Sequence, residues 1–430
     1  MIYQTDLLFA QKADKNDSLK EFRSSFIFPK HQKKECLYFT GNSLGLQPKS
    51  TAKLFTQELS DWGKYGVDGH FKALNPWVNY HEWFSEPMAK IVGAKPEEVI
   101  VMNTLSANLH FLLASFYKPS GKKVKILCEQ KPFPSDKFVL ESQIKFHGLD
   151  PKECLIEVEG RNGSPIIEDE DILQAIINNK DELALIMIGG VNYYTGQKFN
   201  MQEISETANK LNINVGFDLA HAAGNVNLQL NDWGVDFAAW CSYKYLNAGP
   251  GAVSGVFISE KHHKDSSLPK LTGWWGHNKS TRFKMSQTFD PIPTAESWQT
   301  SNAPIFNMVG LRASLEVFEK VKWVELEKKR DGLTGYLFFL LNGLIKKYGS
   351  INIITPENKD KRGAQISIFI KKGGKELFDY ISRHGVIADW RDPDVIRVAP
   401  APLYNSYEDV WQFCELIDGF LNRRFKDLFG

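Results

Sequence analysis

Cysteine is scarce in this chain. The five present, Cys36, Cys128, Cys154, Cys241 and Cys414, are scattered, form no C-x-x-C pair and are odd in number. That argues against a disulfide framework and for a reducing compartment. An excess of one charge is also missing. Lys and Arg number 52 against 51 Asp and Glu, a formal net charge of +1, so no electrostatic footprint for nucleic acid is present. No run approaches the roughly 18 apolar residues of a membrane span. The first 28 residues carry Asp6, Asp14, Asp17 and Glu21 and lack the continuous apolar segment of a signal peptide. The expectation is a cytoplasmic protein without membrane or nucleic-acid partners. No internal repeat or low-complexity segment stands out.

What is present suits an enzyme. The 430 residues can bury a large core and divide into more than one domain. Apolar content is 43% and charged content 24%, both ordinary, and aromatics reach 13%, many of them beside Gly and Asn. Strand and helix patterns alternate from Val99 to Ile258. Leu183–Ile188 is a near-continuous apolar run of the kind covered on both faces in parallel sheets. The alternation predicts an α/β layer architecture. Val253–Ile258 reads as an antiparallel strand at the sheet edge. Further expectations are a polar helix near 17–26, a helix over 77–92, a functional loop over 278–300, and a long helix from Gly310 to about Tyr348 broken near Asp331 and Gly332. Short strands between helices in the tail predict a smaller α+β domain.

Chemistry concentrates in one stretch. Val215–His221 reads as an apolar strand delivering Asp218 and His221 at its end. Phe237–Lys244 reads as a second strand ending in Tyr243 and Lys244, followed by the side-chain-poor turn Gly249-Pro250-Gly251. Ligands of open α/β sheets sit outside the carboxyl ends of the strands. An amine and a carboxylate placed there are what pyridoxal phosphate needs, for its Schiff base and its ring nitrogen; a solvated ion pair is the plainer reading of the same two residues. Upstream, Val99–Met102 leads through Thr104 and Ser106 into a helix. These hydroxyls suit either an ordinary N-cap or a phosphate site at the helix start. Phe133, flanked by Pro132 and Pro134, is rigidly held, as a ring-stacking group or a buried loop anchor. Ser43 in the turn-rich loop 41–48 stays open between a substrate-edge loop and a plain entry turn, and the solitary loop residue His70 between a surface position and a site.

Several strings resemble the kynureninase family: Phe217–His221, Asn231–Phe237, Trp240–Gly249, Asn108–His110, Phe133–Asp136, Tyr193–Gln197 and Ser280–Met285. The resemblance spans about residues 37–400. It implies fold type I of the pyridoxal phosphate enzymes, as in aspartate aminotransferases. The large domain (51–319) would carry a mostly parallel seven-stranded sheet. The small domain (320–430) would be joined by an N-terminal segment (1–50), and the working unit would be a homodimer with shared sites.

The same resemblance implies the site residues. Lys244 would be the Schiff-base lysine, Asp218 the partner of the pyridinium nitrogen with His221 close by, and Phe133 the stacking ring, with Pro134, Ser135 and Asp136 beside it. Leu105, Ser106 and Tyr243, with Trp274 and Asn302 of a second subunit, would complete the phosphate and substrate wall. Arg397 would hold the substrate α-carboxylate, and Ser43, His70 and His277 would surround its aromatic amine end. No metal is implied. Gly189 departs from relatives that place a hydroxyl residue near the cofactor. The implied reaction is hydrolysis of L-kynurenine or its 3-hydroxy form to anthranilate or 3-hydroxyanthranilate plus L-alanine. This belongs to tryptophan catabolism and, through quinolinate, to NAD biosynthesis.

Overall fold

The computed structural model describes residues 2–429, with side chains up to residue 424. Seven strands form the large sheet: β1 (Val99–Met102), β2 (Lys125–Glu129), β3 (Leu155–Val158), β4 (Leu183–Gly189), β5 (Asn214–Asp218), β6 (Phe237–Cys241) and β7 (Ser254–Ile258). Their spatial order is β1-β7-β6-β5-β4-β2-β3. Strand β7 runs antiparallel to both its neighbours, and the other pairings are parallel. The expected antiparallel strand is therefore present but lies inside the sheet, because β1 pairs along its outer edge.

The period-two geometry of strands divides this sheet's side chains between two cores. Leu127, Ile186, Ile188, Val215, Phe217 and Trp240 point to one face. Ile126, Cys128, Leu185, Met187, Phe237 and Ala239 point to the other. All are buried, so both faces are covered, as the apolar run at 183–188 requires.

A third core belongs to the other end of the chain. A four-stranded antiparallel sheet, Ile351–Ile353, Ile366–Ile370, Val395–Val398 and Asp389–Arg391 in that spatial order, packs with helices Trp323–Tyr348 and Tyr407–Phe429. Ala10, Ala13 and Phe39 from the N-terminal segment pack into this same core.

Three expected helices are placed differently. The N-terminal helix is Leu7–Lys15, started by Asp6, whose carboxylate accepts from Phe9 N at 2.9 Å. The stretch expected to be helical holds only a 3-10 turn, Lys20–Ser25. Asp17 just before it turns inward to Lys329 at 2.6 Å. The helix expected over 77–92 is a 3-10 turn, Tyr80–Phe84, leading into a helix limited to Ser85–Val92. The long C-terminal helix is two, Ile305–Phe318 and Trp323–Tyr348, and it runs unbroken through Asp331 and Gly332.

Candidate functional site

The strand ends converge as the parallel register demands. Asp218 stands level with Gly189 on β4 and Ala239 on β6, and Glu129 closes β2 one strand further on. Over these ends lies a cavity of about 410 Å³. Among its lining residues are Leu105, Ser106, Phe133, Ser135, Asp136, Asp218, His221, Tyr243 and Lys244, nine of the residues singled out in the sequence.

The floor is acidic and buried. Asp218 Oδ1 accepts from Ala220 N at 2.6 Å. Burial, then the neighbouring Asp218 carboxylate, holds Asp136 well above the usual carboxylate range. Burial, with Lys244 second, keeps the His221 imidazole well below its ordinary value. His221 Nδ1 and Asp136 Oδ1 are buried without a partner. The Lys244 ammonium lies 5.8 Å from the centre of the Phe133 ring, whose other neighbour is the edge of Tyr193, 5.2 Å away at 79°. Phe133 is 39% exposed, so it is an open wall of the cavity and no buried anchor.

Two helices begin at the opposite end. In Leu105–Phe116 the Thr104 hydroxyl makes no capping bond, contrary to the N-cap reading. The first bonded amide is Asn108 N to Thr104 O, at 2.9 Å, so Leu105 and Ser106 N–H have no acceptor within the helix. Helix Pro134–Phe146 starts beside it, and Ser106 Oγ lies 2.7 Å from Ser135 Oγ. Paired helix N-termini with two hydroxyls favour a doubly charged anion. A flat ring with an amine-reactive carbon, a basic nitrogen and a phosphate therefore fits the residues present. The two orphaned polar atoms, the open aromatic wall and the anion-seeking end each match one part of pyridoxal phosphate.

The remaining residues lie further out. Pro134 opens its helix and supports Phe133 without lining the cavity. Arg397 is 1% exposed and donates to Tyr193 O, to Asp389 and, at 3.4 Å, to Ser43 Oγ. Ser43 in turn donates to Asp389 at 2.6 Å. The loop 41–48 is thus more than a plain turn: Gly45 N donates to Tyr243 O at 2.8 Å, tying it to the lysine-bearing segment. Asn302 lines a neighbouring cavity that shares Thr104 and Gly251 with the first. His70, Trp274 and His277 do not line the cavity; they make other contacts, with Val67 O, Arg282 O and Thr281 Oγ1. Glu129 and Tyr193 line the cavity and were not singled out from sequence. Tyr193 stands in one of the quoted strings, whereas Glu129 carries no motif.

Comparison with known proteins agrees with this geometry. The profile of the kynureninase C-terminal domain matches residues 326–417. Kynureninases of Flavobacterium psychrophilum and Flavobacterium johnsoniae are 52% and 51% identical, each aligned over 97% of this chain and 98% of the relative. The kynureninase of Myxococcus xanthus is 48% identical over the same shares. In fold, the chain resembles the apo cysteine desulfurase of Thermococcus onnurineus (TM-score 0.74, 18% identity, 90% of this chain and 95% of the other). It also resembles a variant of the C-S lyase C-DES carrying glycine covalently linked to its PLP cofactor (0.71, 15%, 89% and 96%). The architecture is fold type I of the pyridoxal phosphate enzymes, and by its near-complete alignment with these relatives the chain belongs to the kynureninase family.

Proposed function

We propose that this chain hydrolyses L-kynurenine, or its 3-hydroxy form, to the corresponding anthranilate and L-alanine, using pyridoxal phosphate held on Lys244. The observation that carries this is the meeting of Lys244, Asp218, Phe133 and two helix N-termini at one cavity in a chain about half identical to kynureninases. Bound pyridoxal phosphate supplies an electron sink for the charge left when bonds to the amino acid's carbons break. Asp218 keeps the ring nitrogen protonated, and Lys244 Nζ takes the proton from the substrate's α-carbon. Burial pushes the Tyr243 phenol up, so at neutral pH it stays protonated and is placed to donate to the carbon that becomes alanine's methyl group. Arg397 holds the α-carboxylate bidentately, in the place beside its guanidinium that Asp389 takes.

The chain acts as a homodimer, Trp274 and Asn302 reaching the partner's site. Residues 51–319 form the cofactor domain, and 1–50 with 320–430 the small one. Five free, buried cysteines suit a reducing, cytoplasmic setting. They also weigh against desulfurase chemistry, which needs an accessible thiolate: burial pushes the Cys241 thiol up to about 11. His70 with Asn302 favours the 3-hydroxylated substrate.

Product analysis of the reconstituted protein with each substrate tests the reading. Anthranilates with alanine are expected, and an α-keto acid product would identify an aminotransferase instead. Lys244→Ala is expected to abolish turnover, and the ratio of kcat/KM values decides the preferred substrate.

A further inference from the structure

Gly189 leaves a gap in the cavity wall that another side chain fills. A Cβ built on Gly189 would stand 2.9 Å from Glu129 Oε1. Glu129 reaches that place from the end of β2, on the strand next to β4. It lines the cavity, is 4% exposed, and both its oxygens face Gly189 N, at 3.3 and 3.2 Å.

Its surroundings are poor in positive charge. Asp218, Asp136, Glu157, Cys128 and Tyr193 all interact with it. Lys137, on the helix that follows β2, is paired with Glu157 at 2.5 Å. Lys244 acts on the Asp136–Asp218 pair, and His221 is held neutral. If all were ionised, Glu129 and Asp218 at their strand ends and Asp136 in the helix after β2 would put three negative charges around one ring nitrogen. Such a cluster keeps some members protonated, since like charges in a dry site raise one another.

We propose that Glu129 acts as a neutral acid that positions the cofactor ring: it fills the wall at Gly189, donates its proton into the cavity, and leaves Asp218 as the carboxylate for the ring nitrogen. The proposal rests on the pyridoxal phosphate reading above. Glu129 is a positioning residue, and the reacting atoms are left to Lys244. Burial pushes the Glu129 carboxyl up to about 7, against two backbone hydrogen bonds that favour its ionised form and with Asp218 and Glu157 adding to the rise.

The test compares Glu129→Gln with Glu129→Ala in the full chain by two readouts: the dissociation constant for pyridoxal phosphate, and the absorbance of the bound chromophore titrated over about pH 6 to 9. Glutamine reproduces the shape and the donor of a neutral acid. It is expected to bind within about twofold of wild type, and alanine about tenfold more weakly, the equivalent of one lost hydrogen bond. The wild-type chromophore is expected to shift as Glu129 titrates near neutrality, and that shift is expected to vanish in Glu129→Gln. Binding by glutamine as weak as by alanine would show that negative charge is required and overturn the proposal. So would an alanine variant that binds like wild type. Should Glu129→Ala fail to fold, the glutamine spectrum alone decides, and a retained shift overturns it. A wild-type chain that stays colourless with pyridoxal phosphate overturns the site reading instead.

Discussion

A carboxyl group shut away from water resists ionisation, and Glu129 is the clearest instance in this chain. Its ordinary value of 4.5 rises to about 7 on folding. The folded state therefore binds the proton more tightly. The resulting stabilisation is complete below about 4.5 and is lost as pH rises through about 7, on the order of 3 kcal/mol. Urea unfolding of cofactor-free protein measures this directly. The stability of wild type relative to Glu129→Gln is expected to fall by that order across the window, and a pH-independent difference would contradict the burial of an acid here. Lys244, Asp218 and Phe133 were legible in the sequence because each stands in a local string of strand, site residue and turn. Glu129 was not. Val124–Cys128 reads as a strand with Glu129 just past its end, and only the register of β2 against β4 brings that residue to the candidate site. The role proposed for Arg397 comes through resemblance alone, since its partners Ser43, Tyr193 and Asp389 come from distant parts of the chain.

At the scale of elements, the layered α/β architecture follows from alternation and apolar runs, whereas the place of β7 inside the sheet does not, and glycines misled the reading where packing chose them. Asp331-Gly332 looked like a helix break. The helix continues, and Gly332 is there because a Cβ would stand 2.0 Å from Tyr407 Oη. Alanine in a helix interior is ordinarily about 1 kcal/mol better than glycine, but overpacking costs about 1–3 kcal/mol. Gly332→Ala is therefore expected to lower stability by about 1 kcal/mol. In a Tyr407→Phe background, where the next atom is 3.2 Å away, most of that loss is expected to disappear. Equal losses in both backgrounds, by denaturant midpoint, would rule out the hydroxyl as the cause. Gly45 is the corresponding position at the site. A Cβ there would meet Lys244 O at 2.4 Å and Asn247 Oδ1 at 2.2 Å, and Asn247 already holds a φ of 52°. Backbone cannot yield as a side chain tip can. Gly45→Ala is thus expected to displace the lysine-bearing turn, lowering Tm and weakening pyridoxal phosphate binding together; unchanged cofactor affinity would show that loop 41–48 does not position Lys244.

For the whole molecule, the surface carries a final consequence. Helix Thr51–Tyr65 and the segment after it expose Leu59, Trp62, Val67, Phe71 and Leu74 at 53%, 57%, 79%, 65% and 70%. Apolar side chains gathered in this way mark an interaction surface. The patch leads toward the site: Trp62 lies 5.9 Å from Phe306, and the adjacent Asn307 donates to Gly251 O at 2.6 Å, at the cavity lining. Trp274 and Asn302 are absent from that lining within one subunit, which is what a site completed by a second subunit requires. The wild-type chain is therefore expected to be a dimer by light scattering. Trp62→Glu combined with Phe71→Glu is expected to place like charges in a desolvated interface and give monomers. Those monomers should keep the wild-type far-ultraviolet spectrum, because both side chains lie outside the three cores, yet bind pyridoxal phosphate at least about tenfold more weakly. A folded monomer with undiminished cofactor affinity would mean that one subunit builds its cofactor site unaided, and the roles assigned to Trp274 and Asn302 would fall with it.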